Sequence, residues 1–549
     1  MIIQDYAAAR RFKRGIPAWL LGALVAVYIL AVLNRSLWSE FHAALGASKG
    51  MAGFWVLSAA VTCRLIGNLV LTLALVTWPR IGKALLAILI LVSAASAYYT
   101  QTFGVRLNEE IIQSIFETTR AEAMGLITTD SVTWIGLFGI LPAVLVLIAP
   151  VRFRPLWASL RLRAAIVVGA AILLLVPPLF AGRAYVYFER NHRGMYDVYH
   201  PYAALSGTFH YLQRDVFRKK KTMTPIGTDA TLAPNAALAA RKRVVVLVVG
   251  ETARAENQSL QGYARETNPE MKRAGAIYFS DAWSCGTATT VSVPCMFSDM
   301  TREKFVKAVA KAHWNALDVL QHAGVDVYWR DNDEGCKDVC ARVPNDDLTD
   351  AKIAGLCDAS GCVDEVLVAD LPQRLAQMKS PALLVLHIKG SHGPAYFQRY
   401  PAAFNVFKPG CDTAEVQTCM YDQTVASYDN TILYTDHILG RVVDALKADP
   451  EVDSAMMYLS DHGESLGEKD VYLHGADWAT APTQQKHIPM LMWLSPGWIR
   501  DSGLRLDCMA QRRTQAASQD NVFHTLLGFF DTRTTVYKPE LDLLSGCRG

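Results

Sequence analysis

Carboxylates, histidines and threonines cluster in a few short stretches of this chain. VVGETARAENQSLQGY carries Glu251, and SCGTATTVSVPCMFS carries Thr287, Thr289 and Thr290. HIKGSHGP carries His392, and LSDHGES followed by YLHG carries Asp461, His462 and His474. Zinc favours imidazole nitrogen and carboxylate oxygen, and a catalytic zinc keeps a position open for nucleophile or substrate. Glu251, Asp461 and His462 supply three ligands of that kind, and a threonine hydroxyl completes the shell. Unassisted threonine is a weak nucleophile, but coordination lowers its pKa, and the same cation stabilises charge developing on a phosphoryl oxygen. His392 and His474 are suited to hold a substrate phosphate, hold a second metal or protonate a leaving alkoxide. Taken singly, each residue also fits a structural role. An Asp-His pair after a strand is commonly a hydrogen-bonded loop, Glu251 can cap a helix, and Thr-rich turns are commonly architectural. Their joint occurrence is what points to a site, and residue types alone do not choose among Thr287, Thr289 and Thr290.

Such a site needs elements to position it. RVVVLVVGE is a continuous β-branched run of the kind found in a strand buried on both faces. Similar runs lie at Val325–Trp329, Ala382–Ile388, Ser454–Ser460 and Ile488–Leu494, with helical stretches at Asp364–Met378 and Tyr428–Ala448 between them. Strands alternating with helices predict an α/β sandwich with a mainly parallel sheet, in which ligands gather at the carboxyl ends of the strands. Glu251, His392 and Asp461 all follow such runs.

The 549 residues are too many for one ordinary domain, and the 51% apolar content is concentrated in the first third. Five stretches are long and apolar enough to cross a bilayer: Ile16–Leu33, Met51–Trp78, Ala84–Thr100, Ser131–Pro150 and Ala164–Gly182. Basic residues precede the first span (Arg10, Arg11, Lys13, Arg14) and lie between the second and third (Arg80, Lys83) and the fourth and fifth (Arg152, Arg154, Arg161, Arg163). That bias puts the N-terminus in the cytoplasm, and an odd number of spans delivers everything after Gly182 to the outside. Arg218, Lys219, Lys220 and Lys221 run against the bias, which weakens with distance from a span. LNEEIIQSIFETTRAEAMGLI, in the loop after the third span, predicts an amphipathic helix at the membrane surface. Arg64, in the middle of the second span, is a charge that needs either a function or a partner.

Residues 1–182 therefore read as a membrane domain, 183–241 as an interfacial connector and linker, and 242–549 as an external domain. Ten of the eleven cysteines fall in that last segment. An even number in an oxidising compartment predicts disulfides, and proximity suggests Cys285/Cys295, Cys336/Cys340, Cys357/Cys362, Cys411/Cys419 and Cys508/Cys547. A structural zinc at Cys336 and Cys340 is the competing reading. A second pair at matching spacing is missing. The net charge of +3 does not suggest a nucleic-acid partner.

These motifs in this order, with WRDNDEGCK, HIKGSHGPAYFQRYP and CDTAEVQTCMYDQTVASYDNTILYTD, resemble the lipid A phosphoethanolamine transferase family, which includes the mobile colistin-resistance enzymes. The resemblance covers essentially the whole chain. It implies an α-helical membrane domain of five transmembrane helices and an α/β/α sandwich catalytic domain of alkaline phosphatase/sulfatase type. It puts the nucleophile on Thr289 and the zinc ligands on Glu251, Thr289, Asp461 and His462. His392 and His474 then bind the phosphoethanolamine group or a second zinc, Lys337 and Asn332 contact substrate, and Asn108 and Glu117 of the external loop contact lipid. The implied enzyme is a monomer in the bacterial inner membrane with a periplasmic catalytic domain. It moves phosphoethanolamine from phosphatidylethanolamine to lipid A, releases diacylglycerol and confers polymyxin resistance.

Three alternatives stay open on the residues, one of them a non-enzymatic metal-dependent binding or sensor protein, which would need no hydroxyl within the zinc site. The same donor chemistry could serve another acceptor, such as a core heptose, Kdo or a periplasmic glucan, because acceptor pockets are built from loops. A sulfatase or phosphatase is a different reaction class. Sulfatases need a modifiable Cys or Ser in a C-x-P-x-R-like context, which CGTATT does not provide.

Overall fold

The computed structural model describes residues 15–47, 54–76, 81–118, 120–152, 156–213, 217, 222–233, 241–358 and 360–548. Arg10, Arg11, Lys13, Arg14, Arg80, Arg154, the Arg218–Lys221 cluster, the ends of the second expected span and 234–240 of the linker lie outside them. The chain falls into two compact units, residues 1–112 with 127–217, and residues 113–126 with 218–549.

The first unit is helical, with α1 (Ala18–Val32), α2 (Arg35–Ala47), α3 (Phe54–Val76), α4 (Gly82–Phe103), the start of α5 (Glu109–Glu117), α6 (Thr129–Ile148) and α7 (Leu156–Asn191). Among the described residues, three stretches are long and apolar enough to cross a membrane: Gly82–Phe103, Thr129–Ile148 and Leu160–Val186. A fourth arises if α1 and Arg35–Leu45, which meet at 62°, form one broken span. Within the second expected span, Met51–Trp78, α3 covers Phe54–Val76, of which Phe54–Val70 is apolar among the described residues. Pro177 and Pro178 lie inside α7, and Gly182 bends it at φ 54°, ψ −130°, a conformation that side-chain-bearing residues avoid.

The second unit is built on a seven-stranded sheet. Its strands are β1 (Lys242–Gly250), β2 (Ile277–Phe279), β3 (Asp326–Asp331), β4 (Asn345–Asp347), β5 (Ala382–His387), β6 (Val452–Ser460) and β7 (Met490–Leu494), in the order β2-β7-β6-β1-β5-β3-β4. Pairing is parallel from β6 through β4, and β7 runs antiparallel to both its neighbours. The β1 side chains show why the run is continuously apolar: Val245, Leu247 and Val249 enter the core on one face, and Val244, Val246 and Val248 the core on the other. The helix expected over Asp364–Met378 is two helices, Glu365–Val368 and Leu371–Gln377. Pro372 fits the first turn of a new helix but not the interior of an old one. Part of the expected linker is strand as well, Thr231–Leu232 pairing with Thr532–Arg533.

Candidate active site

Register brings the site together. Ser460 of β6 pairs with Gly250 of β1, Val249 pairs with His387 of β5, and His387 pairs with Asp331 of β3. The next residues of each strand, Glu251, Asp461, Ile388 and Asn332, therefore leave the sheet along one edge. Two glycines allow close backbone approach there. A Cβ on Gly390, at φ 51°, would lie 2.8 Å from the Glu251 carbonyl oxygen, and one on Gly463 would lie 1.9 Å from that of Gln484.

Thr289 is the first residue of α8 (Thr289–Met296), where unpaired N–H groups favour negative charge. The turn before it is cross-linked by the Cys285–Cys295 disulfide. Gly286 N donates to Ser292 Oγ, Thr287 Oγ1 donates to the Ala476 carbonyl, and Cys285 N donates to Gln519 Oε1. Gln519 in turn donates to the Ser460 and Asp461 carbonyls, at 2.9 and 2.5 Å, so one buried amide ties the turn to the end of β6. The outcome is a fixed hydroxyl: Thr289 Oγ1 lies 3.1 Å from Glu251 Oε2 and 3.3 Å from His462 Nε2.

Around that hydroxyl, His462 Nε2 lies 3.2 Å from Asp461 Oδ2 and 3.6 Å from Glu251 Oε1. Asp461 Oδ1 accepts from the backbone N–H groups of Thr252 and His462, which leaves Oδ2 facing the cluster. Burial, reinforced by the Asp461 and Asp333 charges, pushes the Glu251 carboxyl well above the usual carboxylate range. Burial depresses His462 to about 4, leaving it neutral. Glu251 Oε1 and Asp461 Oδ2 have no hydrogen-bond partner among the described residues, although both carboxylates are fully buried. Crowded carboxylates, a neutral imidazole and two orphaned oxygens are what a bound cation resolves, so the residues fit a metal ion. Ligand atoms of Glu251, His462 and His474 lie within 4.8 Å of one another.

The remaining candidates are arranged unevenly. His474 packs against His462 with ring centroids 4.3 Å apart, and its Nδ1 is 3.1 Å from Glu464 Oε2. His392 and His474 are 5.6 Å apart by the same measure. Lys337 is almost fully buried, with Nζ 3.1 Å from Glu334 Oε2 and 3.8 Å from Glu117 Oε2. Lys337 and Asp338 take φ of 49° and 74°, inside the small loop closed by Cys336–Cys340. Asn332 is not brought into this group: its amide donates to Asp364 Oδ1 and the Cys362 carbonyl. Asn108, in the helical unit, accepts from Ile111 N at the start of α5. Thr290 is buried, and its Oγ1 has no hydrogen-bond partner among the described residues. The other disulfides are Cys357–Cys362, Cys411–Cys419 and Cys508–Cys547.

Four residues enter the neighbourhood without having been singled out from the sequence. Asp333 and His387 approach Glu251, their ligand atoms within 4.8 Å of one another and of a Glu251 oxygen; Glu334 holds Lys337; Glu464 holds His474. All four sit inside motifs already quoted, next to the residues that were chosen. Gln519 has no such signal, because its role depends on contacts to segments far away in sequence.

Residues 65–216 match the family described as phosphoethanolamine transferase EptA/EptB, and residues 243–532 match the sulfatase family. Over 547 residues the chain is 39% identical to phosphoethanolamine transferase EptA of Escherichia coli strain K12, covering 98% of each. It is 32% identical to phosphatidylethanolamine transferase Mcr-1 of Escherichia coli, covering 88% of this chain and 90% of that one. Its fold matches the integral membrane lipooligosaccharide phosphoethanolamine transferase A (EptA) of Neisseria meningitidis with a TM-score of 0.88 and 32% identity, over 96% of this chain and 98% of that one.

Proposed function

The chain belongs to the phosphoethanolamine transferase family, and from that premise we propose that it carries phosphoethanolamine from phosphatidylethanolamine to a phosphate of lipid A on Thr289. The observation that supports Thr289 over its neighbours is its hydroxyl, 3.1 Å from Glu251 Oε2 and 3.3 Å from His462 Nε2 at the start of a helix. In the first half-reaction Thr289 Oγ1 forms a bond to phosphorus, the bond to the diacylglycerol oxygen breaks, and that oxygen leaves with a proton. The Thr289 proton starts on the hydrogen bond to Glu251 Oε2. His474, with Nδ1 held by Glu464, offers its other nitrogen to the phosphoryl oxygens or the leaving oxygen. In the second half-reaction a lipid A phosphate oxygen attacks the phosphothreonine-type ester and Thr289 leaves as the hydroxyl.

Glu251, Asp461 and His462, with Thr289, are the residues that would hold the metal, for which zinc is the ion suited to that donor set. When bound, it lowers the pKa of the threonine hydroxyl and offsets charge on the phosphoryl oxygens. His392 and Lys337, with Glu117, would line the place of the ethanolamine phosphate, whereas the amide of Asn332 braces the Asp364 loop. Residues 1–182 serve as the anchor in a bacterial inner membrane with the N-terminus in the cytoplasm. Residues 183–241 act as the connector, and 242–549 as a periplasmic catalytic domain that works as a monomer. The added amine reduces the acceptor's negative charge, and cationic polymyxins then bind less well.

The test is mass spectrometry of lipid A from cells expressing the chain. The proposal expects a gain of one phosphoethanolamine with the wild type and none with Thr289→Ala. Unmodified lipid A beside a modified core sugar or glucan would move the proposal to another acceptor.

A further inference from the structure

Outside the cluster just described, one group of charges stands apart. Arg302 and Lys486 both lie over the Trp478 indole: the guanidinium carbon is 4.4 Å from the ring centroid, and Lys486 Nζ is 5.4 Å from it. Lys486 Nζ donates only to the Trp478 carbonyl, and among the described residues neither cation is in an ion pair. Asp520, whose carboxyl feels the Arg302 charge, accepts from Arg302 N, and Asp477 accepts from Ala479 N. All three side chains are half-buried, so each is fixed yet open to solvent. Two cations held over one aromatic face, neither in an ion pair among the described residues, form a surface for an anion, because each is oriented by the ring quadrupole.

The three segments that carry them converge on the nucleophile turn. Trp478 follows Ala476, whose carbonyl accepts from Thr287 Oγ1 at 2.6 Å, and Gly475 N donates back to the Thr287 carbonyl at 2.7 Å. The Lys486 carbonyl accepts from Ser284 N, the residue before Cys285. Arg302 lies a few residues beyond α8, the helix that Thr289 begins. With Cα atoms 3.8 Å apart, two residues of chain and one hydrogen bond on either side keep Trp478 within roughly 20 Å of Thr289, the scale of a two-sugar headgroup.

We propose that Arg302, Trp478 and Lys486 form the acceptor subsite, binding a phosphate of a phosphorylated sugar headgroup while a second phosphate of the same molecule reaches Thr289. This rests on the transfer reaction proposed above and adds to it where the acceptor sits. The phosphate bound here does not react: it accepts hydrogen bonds from guanidinium and ammonium and is released unchanged. A donor lipid has a single phosphate, which must be at Thr289, so this subsite distinguishes acceptor from donor.

The experiment uses the full chain in detergent micelles, with a fluorescent phosphatidylethanolamine as donor and either bisphosphoryl or monophosphoryl lipid A as acceptor. Release of labelled diacylglycerol without acceptor reports the first half-reaction. For Arg302→Gln/Lys486→Gln, the KM for bisphosphoryl lipid A rises ~10-fold or more, as expected for losing charge-assisted hydrogen bonds to phosphate. Diacylglycerol release changes less than ~2-fold, because those contacts belong to the acceptor alone. With monophosphoryl lipid A the variant and the wild type converge, since the second phosphate is missing. Trp478→Phe keeps a ring under both cations and a near-normal KM, while Trp478→Ala shares the defect. Inorganic phosphate competes with the acceptor on the wild type and more weakly on the double variant; equal competition would mean that these cations do not read phosphate. An unchanged acceptor KM overturns the proposal. So does an equal loss in both half-reactions, which would make these residues braces of the turn. If the wild type itself released diacylglycerol but modified neither lipid A, the transfer reading would fail first, and the control would show it.

Discussion

Two regions of the molecule take charge out of water, and they handle it in opposite ways. In the helical unit, Arg64 Nη1 lies 2.6 Å from Glu189 Oε2 and donates to Tyr185 Oη. Tyr196 donates to the other Glu189 oxygen at 2.5 Å, and its ring lies 4.7 Å from the Arg64 guanidinium. Both carboxylate oxygens are thus occupied. In the catalytic unit, Glu251, Asp461 and His462 are fully buried, with both carboxylates within 3.6 Å of His462 Nε2, yet Glu251 Oε1 and Asp461 Oδ2 have no hydrogen-bond partner among the described residues. A charge whose partners come from its own chain is architecture. A cluster of like charges with open lone pairs stays folded at a cost and is built for something that binds. The question Arg64 raised in the sequence is answered by Glu189, on a helix more than a hundred residues away.

The contrast can be broken in several ways. The largest effect is expected from Asp461→Asn, which should lower transfer by ~10³-fold or more, about 4 kcal/mol of transition-state stabilisation, together with loss of bound metal measured on the purified protein. Full activity with full metal content would remove Asp461 from the site. Next, Arg64→Met leaves the half-buried Glu189 without its cation. Unfolding of the helical unit should become easier by about 3 kcal/mol, read by thermal melting in detergent, and Arg64→Met/Glu189→Met should recover much of that. Failure of the double variant to recover would mean Arg64 does more than pair.

Smaller, and opposite in sign, is Glu251→Gln. Removing one of the crowded carboxylates should leave the metal-free protein at least as stable as the wild type, by up to ~1 kcal/mol, while activity collapses. A clear drop in the metal-free melting temperature would show that the cluster is satisfied after all.

The smallest effect concerns His524, a buried histidine that belongs to neither cluster. Its Nδ1 accepts from Lys538 N, and burial depresses its pKa from 6.5 to about 4. The folded state therefore resists the proton that the unfolded chain accepts. Its contribution is complete above pH 6.5 and is lost as the pH falls through 6.5 toward 4. The melting temperature of the wild type should fall more steeply across that window than that of His524→Gln, and parallel curves would contradict the assignment.

The same contrast explains what the sequence could carry. The β1, β5 and β6 strands were legible because being buried on two faces demands a continuous apolar run, and residues just past such runs had to share an edge. Glu251, Asp461 and His462 follow from that rule with their chemistry, whereas His474 lies past no such run. Thr289 did not: three threonines share one turn, and selecting one takes the Glu251 and His462 distances, which depend on how Gln519 and the disulfide hold the turn. Asn332 and Asp333 show the same limit at one-residue scale. They are adjacent in WRDNDEGCK, yet Asn332 braces Asp364 and Asp333 approaches Glu251, an alternation that β3 imposes as it ends. The short edge strand β4 (Asn345–Asp347) and the break at Pro372 were hidden because three polar residues carry no periodicity and an apolar helix tolerates a proline at its start.

The central claim is that Thr289 bears the transferred group. Protein incubated with phosphatidylethanolamine but no acceptor, acid-quenched and digested, should yield the peptide containing Thr289 heavier by one phosphoethanolamine, with fragment ions placing the group on that residue. The adduct should disappear when lipid A is added before the quench. An adduct on Thr287 or Thr290, or an unmodified peptide while diacylglycerol accumulates, would contradict the account.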